Sequence, residues 1–432
     1  MSADRPTSPS AILCSMPADG HVAPMLAIGR GLAERGWRIR FLTGEAYADR
    51  VRAAGLEFAP LPPEAVTLDE VAAGERPKGA AAINDGVTRA FLDPAPHAGR
   101  ALLALLDEEP ADAVLFELTF VGAVVLEALP DATRPLRVMC GIGPLGLSSR
   151  ATPPYGLGAL PMAGPLGTLR NALMKQVATR LVLRPVHQRV EALLAEVGAA
   201  PLDGGFFFDI VTRADLLVQL TVPEFEYPRP DAPDHLHFVG PVSRTTPSSL
   251  PVPEWWDRLS AGAPVVHVSQ GTVAVSDFDE LVGPTLKGLA DEDVLVVVST
   301  GNAALDLLPP LPANAVAAEF LPYDRLFPLT SVFVTNGGYG GLHYAMEHGT
   351  PIVVAGDTED KVETSARVAW SRAGVRLKTG RPTPEQVRRA VRRLLDDPSY
   401  ASRSAAIGAA IRRSPGVPGL VDLVEARLLL SR

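Results

Sequence analysis

Short runs of consecutive apolar residues alternate with stretches of helical periodicity along most of the chain. That is the pattern of parallel α/β layers, not of a β-sandwich or a helical bundle. The first unit is the clearest. Residues 11–16 read as a strand buried on both faces and 17–20 as its loop. Residues 23–35 read as a helix carrying Leu26, Ile28, Leu32 and Ala33, closed by Gly36, and 38–43 as the next strand. Shorter strands are predicted at 113–116, 136–140 and 216–220. The alternation restarts later, with strands at 264–269, 294–299, 316–320, 332–335 and 352–355, and helices over 278–289, 342–348, 359–373 and 384–395.

Between these two series the composition changes. Residues 223–264 contain nine prolines and the Trp255-Trp256 pair, which predicts a linker. A chain of 432 residues is too long for one ordinary core, so the expected organisation is an α/β domain over 1–222, the linker over 223–264, a second α/β domain over 265–412, and a C-terminal helix over 413–432 packing back on the first domain. A cleft is then expected between the carboxyl ends of two sheets, where open α/β folds bind ligands.

Charge and cysteine usage narrow the function. With 40 Lys and Arg against 49 Asp and Glu, a formal net charge of −9 supplies no general basic field for nucleic acid or anionic lipid, so any bound anion must be held locally. Cys14 and Cys140 are too few for a disulfide framework or a four-cysteine zinc site, and a reducing cytoplasm is the default. Residues 1–10 read as a loose polar leader; the apolar run at 11–16 is too short for a signal-peptide core or a membrane span.

The most informative segment is Asn336-Gly337-Gly338-Tyr339-Gly340-Gly341 with Gly349-Thr350-Pro351 behind it. A strand, a glycine-rich turn and then a helix expose backbone N–H groups at the positive end of a helix dipole, a local anion site suited to a diphosphate. No Lys-Ser/Thr follows, so it is not a P-loop, and the spacing is not the dinucleotide fingerprint. Taken alone, such a turn also joins strand and helix with no ligand.

As a whole the chain resembles the GT-B glycosyltransferases of family 1, especially bacterial enzymes that glycosylate macrolides and other natural products. The resemblance rests on this glycine-rich turn, on Ser269-Gln270-Gly271-Thr272 upstream, on Phe320-Leu321-Pro322-Tyr323, and on Asp360-Lys361. It implies two Rossmann-like α/β domains facing each other across a cleft. It implies a nucleoside diphosphate sugar, UDP- or dTDP-linked, as co-substrate without a separate cofactor or metal. The implied donor-binding residues are Gly271, Thr272, Leu321, Tyr323, Asn336, Gly337, Gly338, Gly340, Gly341, Tyr344, Asp360 and Lys361. Several depart from the family pattern: Asn336 stands where the family has a phosphate-binding His, Gly341 where it has a hydroxyl, Tyr344 where it has the ribose-binding Glu, and Lys361 and Tyr323 where it has Gln. These departures motivate an alternative, a non-catalytic GT-B helper that activates a partner glycosyltransferase.

His21 lies after the first strand, in a stretch similar to the family's Gly-His-x-x-Pro. A loop histidine is by itself more often structural; the resemblance makes this one the general base, a task for which imidazole is suited because it is largely neutral at pH 7. Glu117 ends a predicted strand where the family has an Asp and is nominated to hold the imidazole in one tautomer; a solvent-facing Glu is the other reading. His235 and His237 alternate on an extended segment with no third ligand at a convincing spacing, and His267, His343 and His348 are read as packing or surface residues. The apolar, Gly- and Pro-broken region 141–175 and Gly204 to Phe208 suit a flat, apolar small-molecule acceptor. The expected activity is an inverting, metal-independent sugar transfer, with no nucleic-acid or membrane partner; a homodimer is compatible with the sequence.

Overall fold

In a computed structural model of the protein, the residues described are 8–66, 80–202, 205–242, 248, 250–272, 277–301, 303–357 and 360–431. Most of the leader, Gly204 and Glu359 lie outside them.

The first sheet is built from β1 (Ser10–Cys14), β2 (Arg38–Thr43), β3 (Glu57–Pro60), β4 (Ala113–Glu117), β5 (Leu136–Gly141), β6 (Leu216–Gln219) and β7 (Leu236–Phe238), in the spatial order β3-β2-β1-β4-β5-β6-β7. Every pairing is parallel. The central strands are buried on both faces, which is why they read as unbroken apolar runs. The edge strand β7 falls in the stretch predicted as linker. It is three half-buried residues flanked by prolines, too short for its periodicity to show.

The second sheet contains β8 (Val265–Ser269), β9 (Leu295–Ser299), β10 (Ala315–Ala318), β11 (Val332–Thr335), β12 (Ile352–Ala355) and β13 (Gly374–Leu377), again all parallel, in the order β10-β9-β8-β11-β12-β13. Both sheets reverse direction of winding at one place: between β1 and β4 in the first, between β8 and β11 in the second. In doubly wound folds that switch point opens a crevice at the carboxyl ends of the strands.

Five helices position the site. The helix α1 (Asp19–Glu34) follows β1, and α2 (Gly164–Val177) follows the long loop after β5. The helix α3 (Tyr339–Glu347) follows β11, α4 (Lys361–Ser371) follows β12, and α5 (Gly416–Ser431) ends the chain. Although it is the last element, α5 packs on the first domain: Val417, Leu420, Val421 and Val424 join the core formed by β1, β2 and α1. The approach is close enough that a Cβ at Gly31 of α1 would lie 2.3 Å from Val417. Trp37 Nε1 donates to Glu425 at 3.2 Å across the same contact.

Candidate active site

His21 sits in the first turn of α1 rather than in the preceding loop. Pro24 suggests a helix start near residue 23, but Ala18 is extended and its carbonyl already accepts from the N–H of His21 and Val22, at 2.9 and 2.8 Å. The helix therefore begins a turn earlier, with Pro24 inside it. This fixes the imidazole at the carboxyl end of β1, on one side of the first switch point.

Glu117 is the last residue of β4, on the other side. Cys14 pairs with Phe116, which brings the ends of the two strands together. The glutamate is completely buried, and its carboxylate accepts from His21 Nδ1 at 3.2 Å, Met16 N at 3.1 Å and Thr119 N at 2.7 Å. Thr119 Oγ1 also lies 2.7 and 2.8 Å from the two carboxylate oxygens and 3.0 Å from His21 Nδ1. Burial would raise this carboxyl; the charge and hydrogen bond of His21 and the hydrogen bonds of Thr119 reverse that and hold it below the usual carboxylate range. The same buried anion reinforces the desolvation that raises the thiol of Cys14. His21 keeps 24% of its side chain exposed while its Nδ1 edge is fixed by the carboxylate. Thr119 is invisible to motif reading, its only signal being its place two residues beyond the glutamate.

The second switch point carries the glycine-rich turn. Thr335 pairs with Ser269, placing Gln270–Thr272 beside residues 336–338. Asn336 Nδ2 donates to the Gln270 carbonyl, while its Oδ1 is buried and has no partner among the described residues. Gly337 has φ +102°, and a Cβ there would meet Thr364 Oγ1 at 2.9 Å; that hydroxyl donates to the Gly337 carbonyl at 2.8 Å. Gly338 precedes α3 without capping it by a side chain, and open space surrounds Gly340. The first N–H groups of α3 thus lack a capping side chain beside an open position, as an anion cradle requires.

Next to the turn is a cavity of about 270 Å³ lined by Gly271, Thr272, Leu321, Tyr323 and Tyr344 from the expected set, together with Ser248, Ser269, Ser299, Gly301, Glu319, Phe320 and Asp324. Tyr323 and Tyr344 meet edge to face at 5.7 Å, and the Tyr323 hydroxyl lies 3.3 Å from Ser299 Oγ. Burial pushes both phenols up, so they remain neutral donors. Asp324, one residue past the motif, keeps a buried Oδ1 with no partner among the described residues. Asp360 precedes α4, and a Cβ at Gly143 of the loop after β5 would come within 3.7 Å of its Oδ2. Lys361 opens α4 beside it. A larger cavity, about 510 Å³, lies at Gly36 and Gly55, at the opposite end of α1 from His21, and contains none of these residues.

On the acceptor side, Phe206 and Phe207 are core residues of a cluster with Val186, Val190 and Leu194; Phe208 meets the loop after β5, edge-on to Tyr155 at 4.6 Å. Among the described residues no three His, Cys, Asp or Glu side chains gather around His235 and His237 or elsewhere in metal-binding geometry, and no helix is long and apolar enough to cross a membrane.

Two facing doubly wound domains, one with a carboxylate-bound histidine and the other with a glycine-rich turn at its switch point, define the GT-B class. Comparison with known proteins agrees. Residues 18–135 match the glycosyltransferase family 28 N-terminal domain, and residues 284–425 match the erythromycin biosynthesis protein CIII-like C-terminal domain. The chain is 38% identical over 428 residues to 4'-demethylrebeccamycin synthase of Lentzea aerocolonigenes, covering 96% of this chain and 98% of the relative. It is 33% identical to UDP-glycosyltransferase 2 of Phaeomoniella chlamydospora, covering 96% and 95%. The solved calicheamicin glycosyltransferase CalG4 superposes with a TM-score of 0.75 at 23% identity, over 98% of both chains. The chain belongs to the family 1 glycosyltransferases, and it is a glycosyltransferase of GT-B fold.

Proposed function

We propose that the protein transfers a sugar, with inversion and without a metal ion, from a UDP- or dTDP-linked donor to an apolar natural-product-like acceptor. The observation that carries the proposal is the buried Glu117 carboxylate on His21 Nδ1 at 3.2 Å. With that nitrogen donating to the carboxylate, the basic lone pair is on Nε2, and it takes the acceptor's proton as the acceptor atom bonds to the anomeric carbon. The bond from that carbon to the diphosphate breaks on the opposite face, and its electron pair leaves with the nucleotide. The N–H groups at Gly337–Gly341, with Gly271 and Thr272, stabilise the departing charge in place of a cation. Leu321, Tyr323 and Tyr344 hold the nucleoside; Asp360 and Lys361, at the start of α4, face the sugar. The names of the relatives, a rebeccamycin synthase and a UDP-glycosyltransferase, support the acceptor class and the donor type.

The two cysteines are free and buried, which supports a cytoplasmic setting. The helper alternative gains nothing from the geometry, since a helper has no task for an oriented histidine. Calorimetric titration with UDP and dTDP tests the donor site: micromolar to millimolar binding of at least one is expected, and none for either would refute it. His21→Ala should abolish transfer and leave nucleotide affinity within about twofold. Retained turnover excludes His21 as the base.

A further inference from the structure

The loop that leaves β5 begins beside the catalytic pair, because Cys140 of β5 pairs with Glu117 of β4. It belongs to the first domain, yet its backbone is held by charged side chains of the second domain and of the segment joining them. Glu363 of α4 accepts from the N–H of both Gly156 and Gly158, each at 2.9 Å. Its other oxygen accepts from Arg367 Nη1 at 2.9 Å. Arg367 also donates from Nε to Glu226 at 2.9 Å and from Nη2 to the Leu145 carbonyl at 3.0 Å. Glu226 in turn accepts from the Leu145 N–H at 2.9 Å, and Arg229 donates to the carbonyls of Leu145 and Leu147, at 2.7 and 2.9 Å.

Arg367, Glu226 and Glu363 are at most 3% exposed, and the guanidinium lies 4.5 Å from the ring centre of Tyr227. Burial alone would lower the Arg367 guanidinium; Glu226 and Glu363 outweigh it, so the charge is retained. Two arginines face two glutamates, and removal of any one leaves a buried charge unbalanced. The fit is steric as well as electrostatic: Gly158 has φ +54°, and a Cβ there would meet Val362 of α4 at 2.5 Å.

The helix making these bonds is the one that starts at Asp360 and Lys361. From this geometry we propose that Glu363 and Arg367 are positioning residues for the acceptor: one helix presents Asp360 and Lys361 at its start to the donor sugar and grips the acceptor loop from its first two turns, so both substrates are registered to the same rigid element. This rests on the glycosyltransferase reading above.

Two measurements test it separately from that reading. Amide hydrogen exchange, read by mass spectrometry on the protein without substrates, should show residues 145–158 losing tenfold or more of their protection in Arg367→Met and Glu363→Ala. Glu363→Gln, whose amide oxygen still accepts from the two glycine N–H groups, should lose less. With UDP-glucose and 7-hydroxycoumarin as probes, the same variants should raise the acceptor KM at least tenfold, with kcat and the donor KM within twofold. Because loss of Arg367 threatens folding, Gly158→Ala, which removes no charged group but drives a Cβ against Val362 and the Arg376 guanidinium, displaces the loop and should reproduce the acceptor effect. Unchanged exchange at Gly156 and Gly158, or a donor KM rising in step with that of the acceptor, overturns the inference. Wild-type protein that binds neither nucleotide overturns the function proposed above, while the exchange measurement still decides whether the clasp exists.

Discussion

Replacing Glu117 by glutamine changes one atom and removes one charge, and the structure gives the size of the effect. As His21 takes a proton, its growing positive charge lies 3.2 Å from the carboxylate. At an effective dielectric of about 20, suitable for a buried anion beside a partly exposed ring, two unit charges at that separation attract by roughly 5 kcal/mol. A proton about half transferred in the transition state realises half of this, about 2.5 kcal/mol, or close to 100-fold in kcat. The acceptor KM should hold, because the carboxylate does not face the cleft. Glutamine also turns an N–H₂ group toward the N–H of Met16 or of Thr119, both of which donate to the carboxylate, so stability should fall by about 1–3 kcal/mol. The assay is steady-state transfer at saturating donor, with urea unfolding alongside. Because Glu117 is held below the ordinary carboxylate range, its contribution to stability is complete above that range and disappears as pH falls through the folded value; the variant should lose this dependence. A variant turning over at the wild-type rate would refute the role assigned to the pair.

The two buried histidines make stability pH-dependent in a window of their own. Burial lowers His267 and His343 from 6.5 to about 4, so the unfolded chain binds protons there that the folded one does not; stability should be full above pH 6.5 and fall by up to about 3 kcal/mol per histidine as pH drops to 4. Urea midpoints at pH 7 and 4.5 check this, and His343→Gln should flatten the dependence by about half. In Gly337→Ala, a Cβ at φ +102° pressed against Thr364 should cost about 1–2 kcal/mol and weaken UDP binding at least tenfold by calorimetry; unchanged affinity would separate the turn from the donor site.

Much of the fold is legible because the parallel strands at its centre are buried on both faces. The predicted strands at 38–43, 332–335 and 352–355 coincide with those observed: no charge interrupts the latter two, and in the first the buried Arg40 turns its guanidinium to the carbonyls of Leu105 and Glu109. The edges are hidden for the opposite reason. Glu57–Pro60 and Gly374–Leu377 are four residues each, partly exposed and carrying charge, so pairing with a neighbour defines them and local pattern does not. The site divides in the same way. Gly337 and Gly271 announce themselves because only glycine takes their positive φ readily, at +102° and +75°. Thr119, Asp324, Glu363 and Arg367 belong to no motif: their meaning comes from partners more than 75 residues away or from a cavity wall, and exists only once the chain is folded.

That distinction bears on how an acidic chain holds an anion. The Debye length is about 10 Å at 0.1 M salt, so most of the net charge of −9 is screened from a ligand in the cleft, while an N–H at hydrogen-bond distance is not. The proposed diphosphate site relies on such contacts at Gly337–Gly341, with Lys361 as the cation nearest the start of α4. If backbone N–H groups carry the binding, raising NaCl from 50 to 500 mM should change the UDP dissociation constant by less than about threefold. If Lys361 and the surrounding field carry it, the loss should exceed tenfold and should vanish in Lys361→Gln. The first outcome explains how Asn336 can stand at the turn where family members place a histidine. A neutral amide suffices where the backbone does the work, and its buried Oδ1, without a partner among the described residues, is an acceptor still able to take a hydroxyl of the donor.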